Sequence, residues 1–129
     1  MPLHSRALSC DDSAPRRARA WVAELMRASG RWGDDTVHDA ILCASELVTS
    51  ALVAHSTTMV VRLLIDDAGL RLSLVDDGEL PDDQDDPAQR VQWMGFRLVD
   101  AVADRWGIDA TSSGRELWVE FHAQAPQRG

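Results

Sequence analysis

Three short segments of this chain carry residue types able to do chemistry. In Ser45-Glu46-Leu47-Val48-Thr49-Ser50-Ala51, Glu46 and Ser50 stand four residues apart, which places both on one face of a helix. An acidic residue one turn from a small polar one, flanked by core residues, suits the wall of a site. The same spacing also serves a solvated stripe on an amphipathic helix. In Val75-Asp76-Asp77-Gly78, a carboxylate stands at the end of a hydrophobic strand and a glycine follows, so backbone can approach a ligand there. Asp-Gly is equally ordinary turn chemistry. Gly95 opens a helical pattern whose free amides can hold a phosphate, although a helix start needs no ligand.

Other chemistries are excluded by what the chain lacks. All 13 basic residues are Arg, and there is no Lys, Tyr or Asn among the 129 residues. Without Lys there is no P-loop lysine, no Schiff-base lysine and no lysine of ordinary protein kinases. Arg without Lys is also what a GC-rich coding sequence produces. No GxSxG is present, so a hydrolase elbow is unsupported. The four histidines (His4, His38, His55 and His122) show no HxxxH spacing and have no Cys partner, so zinc is not expected. His55, at the end of an apolar helix face, reads as a capping or packing residue. A net charge of −8 without a basic run argues against gripping nucleic acid or an anionic membrane. Cys10 and Cys43 lie far apart without a CxxC, which fits reduced thiols. The first residues lack a signal peptide's charged start and apolar run, and no stretch reaches ~20 consecutive apolar residues. A cytoplasmic location is expected.

The elements that must position these residues can be read from periodicity. Residues 4–10 alternate weakly, as a strand does. Asp12 or Ser13 caps a helix with Pro15 in its first turn and Gly30 as its stop, striped by Ala18, Val22, Leu25 and Ser29 with Trp21 beside them. Asp34 and Asp35 open a second helix that keeps its spacing through Val37, Ile41, Ala44, Val48 and Ala51 to His55. The period then becomes two: Met59, Val61, Leu63 and Ile65 share a face, a turn falls at Asp67-Ala68-Gly69, and Leu70, Leu72 and Leu74 return as a hairpin. Residues 82–87 form an acidic, Pro-punctuated loop. A third helix is expected over about 94–105, then strands over 106–110 and 116–123 around the turn Ser112-Ser113-Gly114. The fold class is α+β, with helices on one face of a mixed, mostly antiparallel sheet. Residues 1–123 make one domain and 124–129 a frayed tail.

Taken in order, these segments resemble the histidine-kinase-like (GHKL or Bergerat) ATPases, and most closely the small bacterial anti-sigma-factor serine kinases with their single-domain actinomycete relatives. Residues 44–55 are similar to that family's N-box helix. Val75-Asp76-Asp77-Gly78 with Pro81 resembles its first glycine box, residues 95–107 its second box and following helix, and residues 114–121 its closing strand. The resemblance implies a two-layer α/β sandwich in which ATP lies between helices and sheet under a lid, here residues 82–92. It implies that Asp76 accepts the adenine amino group, that Gly78 lets backbone pass close to the base, and that Gly95 and the amides after it hold phosphate. Glu46 becomes the general base that draws a proton from a partner's serine or from water.

The chain also departs from that pattern, always at the phosphate end. Ser50 stands where the family offers magnesium an Asn, and a hydroxyl is the weaker ligand for an ion demanding octahedral geometry. Leu80 and Trp93 replace glycines, and Met94 and Phe96 replace small or polar neighbours. The lid carries Asp82, Asp83, Asp85 and Asp86 against Arg90 alone. The implied function is a regulatory anti-sigma-factor-like protein acting by protein–protein binding, with its nucleotide site degenerate at the phosphate and magnesium end. The alternative is an active ATP-dependent serine kinase that phosphorylates an anti-anti-sigma factor, using ATP and Mg2+. Either implies a sigma factor or anti-anti-sigma protein as partner, and often a homodimer. Trp32 and Trp93 are candidate partner anchors or residues buried against the sheet.

Overall fold

The computed structural model describes residues 3–80, 91 and 95–123. The elements run β1 (Leu3–Leu8), α1 (Ala14–Ser29), α2 (Asp34–Val53), β2 (Met59–Ile65), β3 (Gly69–Asp76), α3 (Arg97–Val102), β4 (Arg105–Thr111) and β5 (Gly114–His122). The five strands form one sheet in the order β1-β2-β3-β5-β4, and every pairing among the described residues is antiparallel. The expected mixed, mostly antiparallel sheet is thus, among the described residues, antiparallel. The lid at 82–92, Val91 apart, Trp93, Met94 and the tail at 124–129 lie outside the described residues.

Period-two alternation sends Met59, Val61 and Leu63 of β2, Leu70, Leu72 and Leu74 of β3, and Leu117, Val119 and Phe121 of β5 to one face, where all are buried. The helices cover that face. Val22 and Met26 of α1 and Leu47 and Val48 of α2 join the same core, with Ala18, Ala40, Ala44 and Ala51 between them. By length and composition α2 is apolar enough to cross a membrane, but its stripe from Val37 to Ala51 is buried in this core. Each fully buried Leu contributes about 1.5–3 kcal/mol relative to exposure, so the β2–β3–β5 ladder and α2 hold much of the core's stabilisation. The α1 stripe is centred on Ala18, Val22 and Met26, one step from the Leu25 and Ser29 line expected.

Two helix ends steer the chain into its next elements. α1 stops at Gly30, whose φ of 67° is left-handed and costs glycine little. α2 stops two residues before His55, which takes the left-handed φ of 57° itself. His55 N–H donates to Leu52 O at 3.0 Å and Ser56 N–H to Ala51 O at 3.0 Å, the paired closure of a Schellman cap. His55 is thus a capping residue, as its sequence position implied. The turn throws Ser56, Thr57 and Thr58 across the end of β3. The third helix is shorter than expected, six residues from Arg97. It is pinned to β4 by Phe96 edge-on to Trp106, with ring centroids 5.4 Å apart, and by Trp106 Nε1–H donating to Asp100 Oδ1 at 2.8 Å.

Candidate ligand cavity

The C-terminal half of α2, the end of β3 and the start of β5 enclose a cavity of about 690 Å³. Of the residues singled out in the sequence, Glu46, Ser50, Gly78 and Gly95 line it. Glu46 and Ser50 are half-buried, as one helix face turned toward a recess requires. Gly95 is exposed with a left-handed φ of 69°, and a Cβ there would meet nothing within 4 Å. The helix beyond it has only six residues and no side-chain cap, so it concentrates little dipole. Leu80 packs against the hydrophobic core, and so does Trp32.

Asp76 is placed otherwise. Its side chain is 0% exposed, and both carboxylate oxygens are taken from inside the protein. Arg115 donates Nε–H to Oδ1 at 2.8 Å and Nη2–H to Oδ2 at 3.0 Å. Ser56 donates its hydroxyl to Oδ2 at 2.9 Å, and Gly78 N–H reaches Oδ1 at 3.4 Å. The guanidinium, itself 0% exposed, also donates Nη1–H to Glu79 O at 3.1 Å and reaches Ser50 O at 3.5 Å. A fork-on-fork pair with two further donors on carbonyls is the arrangement in which buried charges are tolerated. A Cβ on Gly78 would stand 2.8 Å from Arg115 Nε and Nη2, so the room left by this glycine is used by the guanidinium.

Sequence reasoning gave Arg115 no role, yet a signal existed. Arg115 is in phase with Leu117, Val119 and Phe121, and Asp76 is in phase with Leu70, Leu72 and Leu74. A cation and an anion each on a buried face imply a partner for each, and the β3–β5 register pairs them directly.

The neighbouring Asp77 is exposed and faces the cavity mouth. It accepts from Thr57 N–H at 2.7 Å, from the Thr57 hydroxyl and from Thr58 N–H at 3.3 Å. The Thr57 hydroxyl first, then its amide, hold the Asp77 carboxyl below the ordinary aspartate value. Among the described residues, Glu46, Asp77 and Glu79 thus present three carboxylates to the cavity, while the one lining cation, Arg115, faces Asp76. No cluster of three His, Cys, Asp or Glu residues suited to a metal occurs among the described residues.

The architecture is a two-layer α/β sandwich, an antiparallel sheet with helices on one face and a cavity at the β3–β5 end. Thirteen solved chains match it. One is the crystal structure of the RsbU and RsbW domains of Rv1364c from Mycobacterium tuberculosis, at a TM-score of 0.67 and 21% identity over 93% of this chain. The match takes in 31% of that chain, so this protein spans about a third of its length. At that identity the likeness is one of fold. No family model and no curated protein matches the sequence.

Proposed function

We propose that this protein is an anti-sigma-factor-like regulator that works by binding protein partners, a sigma factor, an anti-anti-sigma protein or both, and that its cavity does not hold ATP and Mg2+ productively. The observation that carries the reading is the cavity's charge. Among the described residues, Glu46, Asp77 and Glu79 line it, and the Arg115 charge is spent on Asp76. A triphosphate needs neutralisation, and phosphoryl transfer depends chiefly on positioning and charge neutralisation. Ser50 in place of a carboxamide gives magnesium a poor ligand, and the chain has no Asn to supply one. These residues do not fit ATP and its metal. The likeness of fold to a structure containing an RsbW domain supports regulation through protein contacts; a cytoplasmic location and a homodimer are part of the same proposal.

The reading is tested by calorimetric titration with ATP and Mg2+. No saturable heat up to millimolar nucleotide is expected, and micromolar binding would overturn the proposal. One observation favours a second reading, an active serine kinase: Glu46, the general base that the resemblance implies, lines the cavity. Phosphoryl transfer to a serine of a copurified partner, lost in Glu46→Ala, would establish that reading instead.

A further inference from the structure

The resemblance gives Asp76 the amino group of a base to receive and Gly78 the task of letting that base lie close. In this chain one side chain takes both places. The Arg115 guanidinium satisfies both Asp76 oxygens, lies where a Gly78 Cβ would be only 2.8 Å away, and places two further donors on the carbonyls of Glu79 and Ser50. The recess has a buried carboxylate, a glycine floor and a carbonyl rim, which together recognise a planar group rich in N–H donors.

We infer that Arg115 is the resident occupant of this recess and closes the base end of the cavity to free ligands. A 6-aminopurine is neutral and offers a carboxylate an N–H from its amino group. The guanidinium offers two N–H groups in a fork and carries the charge opposite to the carboxylate's. It is also tethered, so it enters the recess without the translational and rotational loss a free ligand bears. Removal of the Arg115 side chain should therefore uncover a site for guanidinium-like cations and, more weakly, for 6-aminopurines. This deepens the proposed function and rests on the reading of the cavity as a former nucleotide site.

The experiment compares the wild-type chain, Arg115→Ala and the double variant Asp76→Ala/Arg115→Ala, each with methylguanidinium, methylammonium and adenosine at low millimolar concentration. Folding is followed by near-ultraviolet circular dichroism on heating, and binding by calorimetry. The wild-type chain should respond to none of the three. Arg115→Ala should melt lower, regain melting temperature with methylguanidinium but not with methylammonium, and bind adenosine saturably. If that variant is unfolded at the working temperature, methylguanidinium should refold it, and that rescue is the supporting result. The double variant, lacking the carboxylate, should respond to neither cation nor to adenosine. Adenosine binding by the wild-type chain overturns the inference, as does an Arg115→Ala variant indifferent to methylguanidinium. ATP binding without adenosine binding by the wild-type chain would sink the functional proposal while leaving this inference standing.

Discussion

Substituting Asp76 with alanine strands the Arg115 guanidinium in the interior, and the cost is set by the bonds the carboxylate accepts. Two charge-assisted bonds at 2.8 and 3.0 Å disappear, along with the Ser56 hydroxyl contact at 2.9 Å. Bonds to charged groups contribute about 1.5–3 kcal/mol each, and breaking a buried ion pair by removing one partner costs about 3–5 kcal/mol. Arg115 keeps the Glu79 and Ser50 carbonyls, which points to the lower half of that range, about 3–4 kcal/mol. Small domains have about 5–15 kcal/mol in total, so Asp76→Ala should remain folded but fragile. In urea titration followed by tryptophan fluorescence, with slopes of about 1–3 kcal/mol per molar, the midpoint should fall by about 2 M. Asp76→Leu/Arg115→Met removes both charges and should lie within about 1 kcal/mol of wild type. A loss below about 1 kcal/mol in Asp76→Ala, the level of an exposed pair, would refute the burial of this pair. So would a double variant as unstable as the single one.

Three further outcomes are expected. His55→Gly relieves a left-handed side-chain residue at the α2 cap and should stabilise the protein by about 0.5 kcal/mol once glycine's extra unfolded entropy is subtracted; a lower thermal midpoint would contradict the cap. The Asp77 and Asp11 carboxyls are both held below their ordinary value of 3.8, by Thr57 and by Ser13, so their stabilisation is complete above that value and is lost as pH falls through the depressed ones. Melting temperature should drop below about pH 4, and Thr57→Val should shrink the drop; an identical pH profile in the variant would exclude the Asp77 part. Burial foremost, then Asp39 and Glu46, pushes the Cys43 thiol up to about 12, so a disulfide reagent at about pH 8 should modify half-buried Cys10 first and Cys43 only on unfolding; two equally fast thiols would refute this.

Most of the architecture is legible in the sequence because its periods are clean. The alternation from Met59 to Ile65 and from Leu70 to Val75, with Asp67-Ala68-Gly69 between, leaves only a hairpin. The long apolar spacing of α2 and the stop at Gly30 are equally plain. The third helix is shorter than its pattern because residues 98–106 keep a helical spacing that β4 overrides: Trp106 pairs with Val119 and packs edge-on against Phe96. At the cavity, Glu46, Ser50, Gly78 and Gly95 stand out by type and spacing and do converge. The state of Asp76 is not legible, since it depends on which residue lies opposite it across the sheet. That is a matter of register between segments 39 residues apart, which no local pattern in either strand reports.

That separation also has a kinetic side. The Arg115 side chain bolts β5 to β3 across 39 residues of chain and to the α2 backbone across 65. Such contacts can form only after the β3–β5 ladder has closed a long loop, so they belong to the late part of folding. Interactions absent from the transition state govern how fast a native chain comes apart and leave its rate of assembly nearly untouched. The buried pair therefore acts as a latch on unfolding. Its loss should shorten the lifetime of the native state while the refolding arm of the chevron stays where it is.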